Sequence, residues 1–207
     1  MIGAKGATVS SEPLVLGFDT SAAHCAAALL RGDTIVAERL ELMTRGQAER
    51  LMVLLEEVLS EGGAAWADLS AIGVGVGPGN FTGIRIGVSA ARGLALGLDI
   101  PAVGVTGFEA RAADGALVAI PAPREQVYAA LLDQAPRLMP AQEAAEAARS
   151  AGLTFAPEAT PADLAEAIAR CAALRFNDNT LPPPAPLYLR AADAAPSRDV
   201  PPALIDG

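Results

Sequence analysis

The stretch GVGVGPGNFTGIRIG at residues 73–87 limits what this chain can fold into more than any other. Its six glycines follow an apolar run and lead into a helical pattern. It is therefore either a phosphate cradle or a tight turn from a buried strand into a helix. Spacing decides against the two commonest nucleotide loops. A Walker A loop needs Lys-Ser or Lys-Thr after its second glycine, so that the lysine reaches the β- and γ-phosphates. Here Thr82 stands five residues after Gly77, Ile84-Arg85 follow Gly83, and no lysine is present. The dinucleotide fingerprint fails as well. Thr82 occupies the place of its third glycine, and the run Pro101 to Val105 is followed by Thr106, not by an acid. The mechanical alternative fits: Ala71 to Val76 as a buried strand, Pro78-Gly79 as the turn, and Asn80 or Thr82 capping a helix from about Gly83 to Leu98. Bare amides at a helix start can still hold an anion; the structural turn is the favoured of the two.

The chain has 207 residues, enough for one domain or two small lobes with a core. Hydrophobic residues make up 52% but aromatics only 4%, so the core is expected to come from close helix–sheet approach and not from large rings. A net charge of −9 argues against this chain alone gripping nucleic acid, which needs a basic surface; tRNA is expected only through a complex. Cys25 and Cys171 lie far apart without metal or redox spacing, and are expected as buried, reduced thiols. Residues 1–12 read as a loose tail and not as a signal peptide. No apolar run approaches the roughly 18 residues of a membrane span. The expectation is a soluble, cytoplasmic protein without membrane contact.

Strands are predicted at Leu14 to Thr20, Cys25 to Leu30 and Thr34 to about Leu42, then a helix from Gln47 to Ser60 closed by Gly62-Gly63. After the glycine loop and its helix come a strand at Ala102 and a short helix from Phe108 to Ala113. This order is an α/β lobe with helices over a mixed sheet, residues 1–113. A shorter second half, residues 114–207, holds a hairpin of Leu117 to Ile120 and Gln126 to Leu132, which echoes the opening hairpin. Helices follow at Ala141 to Ser150 and Ala162 to Leu174, then a stiff stretch at Pro182 to Pro186, a short strand at Leu187 to Arg190, and a mobile tail.

LGFDTS, then GVGPGNFTGIRIGVSAARGLALGLDIPAVGVTGFEA, and PLYLR with ADA behind it resemble the bacterial TsaB (YeaZ) family. The similarity is strong over about residues 14–113, weak over 117–133, and returns at 186–195. The resemblance implies an actin-like (ribonuclease H-like) lobe with a reduced second lobe, in a superfamily of ATPases also grouped with the glycoproteases. It implies a non-catalytic subunit of the complex that places threonylcarbamoyl on tRNA. The implied partners are a catalytic TsaD-like subunit and a TsaE-like ATPase, with a homodimer also allowed. ATP and metal are expected on those partners, and no cofactor on this chain alone.

An actin-like enzyme clamps phosphates and metal with one carboxylate-bearing hairpin from each half. Asp19 suits the first, and is the one candidate nucleotide contact; a structural role bonding turn amides is preferred for it. The second turn reads Ile120-Pro121-Ala122-Pro123-Arg124, without acid or glycine, where relatives commonly carry an acid. Gln47 stands where relatives often carry a histidine. No metal site is expected, because the single histidine, His24, is read as an exposed side chain far from other ligands. Ser21 and Thr20 lack an oriented base, so peptidase activity is rejected and no catalytic residue is assigned. The alternative is an ATP-dependent kinase or transferase with its own nucleotide site.

Helix surfaces carry the positive signal. Ala48, Leu51, Met52, Leu55, Val58 and Leu59 form a core stripe on the first helix, with Val53 among the acids opposite. On the second, Ile84, Val88, Ala91, Leu94, Ala95 and Leu98 face the core. The other side carries Ile86, Ala90, Gly93, Leu96 and Gly97 where a solvated helix would carry charges. Periodicity alone leaves open whether the protein's own elements or a partner cover that face; the resemblance favours a partner. Arg85 and Arg92 lie along its edge, either as solvated rim charges or as pairs for a partner's acids. The candidate interface is thus Val53, Arg85, Ile86, Ala90, Arg92, Gly93 and Gly97.

Overall fold

The structure is a computed structural model, and it describes residues 12–112, 116–130, 135–155 and 160–189. Most of the predicted N-terminal tail, Leu132, Arg190 and the final tail lie outside the described residues.

Five strands form the main sheet: β1 (Leu14–Asp19), β2 (His24–Arg31), β3 (Thr34–Leu42), β4 (Ala71–Gly75) and β5 (Ala102–Val105), in the order β3-β2-β1-β4-β5. β1 is antiparallel to β2 and β2 to β3, while β4 runs parallel to both β1 and β5. Period-two alternation sorts the side chains onto two faces. Leu14, Leu16 and Phe18 pack beneath α1 (Gln47–Glu61) and α2 (Phe81–Leu98), in a cluster with Leu51, Leu55, Ile72, Val74 and Ile84. Val15 lies on the opposite face with Leu30, Val103 and Val105, against Ile168 and Ala169.

That opposite face is covered by α4 (Pro161–Arg175), a helix of the second half of the chain. Thr160 and Asp163 cap it reciprocally and Pro161 opens its first turn. The sheet offers glycines where the helix lands. A Cβ on Gly17 would lie 2.5 Å from Ala169 N and 2.6 Å from Ala165 O, and one on Gly73 2.9 Å from Ile168 O. Backbone meets backbone there, through Ala165, Ala169 and Ala172 on the helix side. The alanine-rich, ring-poor composition thus packs by close approach, as expected.

The second half holds β6 (Ala116–Leu117), β7 (Ala119–Ala122), β8 (Gln126–Ala129), β9 (Arg137–Pro140), α3 (Ala141–Ser150) and β10 (Thr154–Phe155). β7-β8-β9 is an antiparallel sheet, and β6 pairs in parallel with β10. The echo of the first half therefore reaches further than one hairpin: three antiparallel strands followed by a helix occur in both halves. The hairpin starts at Ala119, because Leu117 belongs to β6, and β9 and β10 have no counterpart in the predicted elements. The helix predicted from Phe108 is only a single 3-10 turn, Glu109–Arg111. The strand predicted at Leu187 is an extended segment joined to the sheet by one backbone bond, Leu187 N to Val76 O at 2.8 Å. Among the described residues no helix is long and apolar enough to cross a membrane.

Gly17→Ala should destabilise the fold, since the added methyl meets helix backbone that no rotamer change can move. The expected loss is about 1–3 kcal/mol, read by chemical denaturation with far-UV circular dichroism.

Candidate functional site

The glycine loop of residues 76–83 leans against the turn that follows β1. A Cβ on Gly83 would lie 1.9 Å from Thr20 O, one on Gly79 2.3 Å from Ser21 O, and one on Gly75 1.9 Å from Asp19 Oδ1. Asn80 N donates to Ser21 O at 2.6 Å, and Thr20 Oγ1 donates to Gly83 O at 2.8 Å. Asn80 Oδ1 caps α2 by accepting from Gly83 N at 2.8 Å. Amides that a phosphate cradle would offer, those of Asn80 and Gly83, are thus engaged inside the protein. The loop works as the turn that its spacing predicts.

Asp19 is buried at the end of β1. Its Oδ2 accepts from Ser21 N at 3.0 Å, from Ser21 Oγ at 2.9 Å and from His24 Nε2 at 2.7 Å. The turn-amide role expected of Asp19 has its geometry here. His24, expected as an exposed side chain, is instead 3% exposed and paired with Asp19. The cause is hairpin register. Asp19 lies opposite Ala26, and His24, two residues earlier on β2, shares the face of Ala26. With the carboxylate as acceptor, serine and histidine both donate to it, so the cluster centres on the acid and is not a serine–histidine relay. Arg111 stands nearby, its guanidinium half-buried and donating from Nη1 to Gly107 O at 3.0 Å. Burial lowers its pKa, and the charge of Asp19 opposes that shift. Burial likewise pushes the Cys25 thiol up to about 11, which keeps it protonated and unreactive.

Gln47 opens α1, and its Nε2 donates to Ala22 O at 3.4 Å and Met43 O at 3.3 Å, tying the helix start to the β1–β2 turn. The turn between β7 and β8 comprises Pro123, Arg124 and Glu125, the last two at φ 63° and 54°. It therefore carries an acid, Glu125, one residue past the stretch taken for the turn. Among the described residues no three His, Cys, Asp or Glu side chains gather where they could hold a metal ion.

The candidate interface residues are divided between a groove, a second hollow and the open surface. Arg85, Ile86 and Ala90 of α2 line a groove of about 510 Å³ with Ala48, Met52 and Phe81. Ala48 and Met52 are corrected from core to groove wall, because α2 leaves space beside α1; Leu54 is buried in their stead. Gly93 and Gly97 face open space, and Leu96 beside them is 86% exposed. Ile86 and Ala90 are partly buried against the core, while the described elements leave Gly93, Leu96 and Gly97 exposed. Val53 is exposed on α1 but does not line the groove. Arg92 belongs to a second hollow of about 740 Å³ with Gly93, Leu96, Leu181 and Pro184. Phe81 and Tyr188, absent from the predicted site, stack at the mouth of the first groove with ring centroids 4.9 Å apart. Their contact spans over a hundred residues of sequence, which periodicity cannot detect.

A mixed sheet ordered β3-β2-β1-β4-β5, helices on both faces and a buried acid ending β1 define an actin-like, ribonuclease H-like lobe. The model of the TsaD family, described as tRNA N6-adenosine threonylcarbamoyltransferase, matches residues 40–184. The chain belongs to this family, and within it to the TsaB (YeaZ) proteins. It is 38% identical over 92 residues to the tRNA threonylcarbamoyladenosine biosynthesis protein TsaB of Escherichia coli, covering 44% of this chain and 39% of that one. To the TsaB of Bacillus subtilis it is 42% identical over 101 residues, 49% of this chain and 44% of the relative. The chain thus spans less than half the length of these two curated relatives. YeaZ from Pseudomonas aeruginosa superposes with a TM-score of 0.51 at 33% identity, over 61% of this chain and 64% of that one. A structure described as an uncharacterized protein with similarity to peptidase YeaZ, from the same species, gives 0.63 at 27% identity, over 86% and 100%.

His24→Ala removes a buried donor from a buried carboxylate. The expected cost is about 1.5–3 kcal/mol, measured by urea unfolding.

Proposed function

We propose that this chain is a non-catalytic subunit of a tRNA threonylcarbamoyladenosine-forming complex, and that it binds and stabilises a TsaD-type catalytic subunit through the α1–α2 face. The supporting observation is the small, apolar side of α2 that the described elements cover only in part: Ile86 and Ala90 half-buried along the groove, then Gly93, Leu96 and Gly97 exposed. An apolar helix face without full cover is rare on a monomer and suits close helix–helix contact. In this proposal the protein acts in the cytoplasm, a TsaE-like ATPase completes the assembly, and tRNA is reached only through it. A second copy of the chain is a competing occupant of the same face.

Ala90→Arg should insert a long charged side chain into that contact. A desolvated, unpaired charge costs about 3–5 kcal/mol, a loss of at least a hundredfold in affinity. Size-exclusion chromatography with the TsaD-type subunit of the same organism should show the complex lost, with the melting temperature of the isolated chain nearly unchanged. A collapsed melt would mean the face is internal. Retained association with a normal melt would place the partner elsewhere.

The alternative, an actin-like enzyme with its own nucleotide site, draws support from Glu125 in the second hairpin turn, the counterpart in the second half of Asp19 in the first. Against it stands Asp19 Oδ2, already engaged by three donors. Calorimetric titration of the isolated chain with Mg-ATP should show no tight binding. A micromolar constant that disappears in Asp19→Ala would establish the alternative.

A further inference from the structure

Arg85 is held in a way that solvated arginines are not. Its guanidinium carbon lies 4.1 Å from the Phe81 ring centroid and 6.0 Å from that of Tyr188. Its Nε donates to the Tyr188 hydroxyl at 2.9 Å. Tyr188 stacks on Phe81 with the ring planes 27° apart, and is positioned by the neighbouring Leu187 N to Val76 O bond. Three contacts thus fix a long, rotamer-rich side chain at an exposed surface, which ordinarily costs about 1.5–2 kcal/mol of conformational entropy. Nη1 and Nη2 have no hydrogen-bond or ion-pair partner among the described residues. Arg31, Arg45, Arg92 and Arg111 likewise have no acid partner among the described residues, but only Arg85 is stacked there on aromatic rings.

We infer that Phe81 and Tyr188 hold Arg85 as a fork that binds a carboxylate of the protein seated in the α1–α2 groove. The inference rests on the proposed function and names the chemistry of the partner: apolar side chains against Ile86, Ala90 and Met52, and an aspartate or glutamate at the mouth of the groove. With Nε committed to Tyr188, the two terminal nitrogens present the end-on geometry that matches two carboxylate oxygens. Pre-organisation removes an ordering cost at the moment of binding, and aromatic plus arginine is the composition of interface hot spots. Protein is favoured over RNA as the occupant, because the groove floor is apolar and the chain carries a net charge of −9. Tyr188 is a positioning residue: it acts through Arg85.

The test is calorimetric titration of the full chain with the TsaD-type subunit of the same organism. Arg85→Ala should weaken binding about tenfold, and Arg85→Lys nearly as much, because the lysine keeps the charge but loses the fork. Tyr188→Phe keeps the ring and removes the hydroxyl, and should cost roughly threefold. In an Arg85→Ala background it should cost nothing more, the non-additivity expected when one residue acts through another. The affinity of the unaltered chain should fall more steeply with added NaCl than that of Arg85→Ala. Melts should be unchanged, since both side chains are exposed. If Ala90→Arg abolishes the complex while Arg85→Ala stays within twofold, the groove stands and the fork is wrong. If the unaltered chain forms no complex, the proposed function falls and the fork with it. Arg85-dependent binding of a single-stranded RNA oligonucleotide, with partner affinity untouched, would overturn the inference in favour of nucleic acid.

Discussion

The absence of side chains at Gly75, Gly79 and Gly83 lets two loops touch, and much of the lobe hangs on that contact. Thr20 O and Ser21 O occupy the places where Cβ atoms would stand. Because the loops meet, Asn80 reaches Ser21 and Thr20 reaches Gly83, and α2 starts directly beside the end of β1. Because α2 starts there, Ile84, Val88 and Ala91 of its stripe pack in one cluster with Val74 and Phe18, while Ala95 is turned to the second hollow. The exposed face is therefore a product of the same turn that buries Asp19. A single methyl at Gly83 would strike backbone, which has no rotamer to change.

Local chemistry made the first lobe legible. Strands at Leu14, Thr34, Ala71 and Ala102, the helix at Gln47 and the cap at Asn80 all follow from short-range pattern and turn residues, and the structure places them within a residue or two. The failed Walker and dinucleotide spacings pointed to a turn, and the chain turns there from β4 into α2. What escaped was set at long range. His24 is a polar residue near a turn, which argues for exposure; hairpin register carries it to Asp19 instead. Ala48 and Met52 have core periodicity, yet whether a helix face is covered depends on where its neighbour lies. β10 is two residues long and exists through its pairing with β6, so no pattern of its own announces it. The Phe81–Arg85–Tyr188 stack joins residues 103 apart, a distance at which neither composition nor period carries information.

Polar groups in this lobe are handled in two ways. At the surface, Arg50 bridges Glu41 of β3 and Glu57 of α1, and Arg39 reaches Glu57 and Glu61. This network stitches the edge strand to the helix, and each exposed pair within it contributes little on its own. In the interior a single carboxylate gathers three donors around one oxygen. The first arrangement tolerates rearrangement. The second does not, because a buried acid deprived of its donors has no solvent to turn to.

The docking of α4 on the first sheet has a consequence for how the chain is made. Val15, Leu30, Val103 and Val105 are covered chiefly by Ile168, Ala169 and Ala172, with Phe176 and Leu181 packed beside them. Ala172 lies 67 positions beyond Val105, the last of those strand residues (172 − 105). At a ribosomal rate of about 5–20 residues per second, those positions take roughly 3–13 s to synthesise. During that interval the sheet has its α1–α2 side closed and its other side, a patch of branched aliphatics, wet. A nascent chain in that condition carries an unpaired apolar patch, and the codons for residues 106–172 set how long it waits.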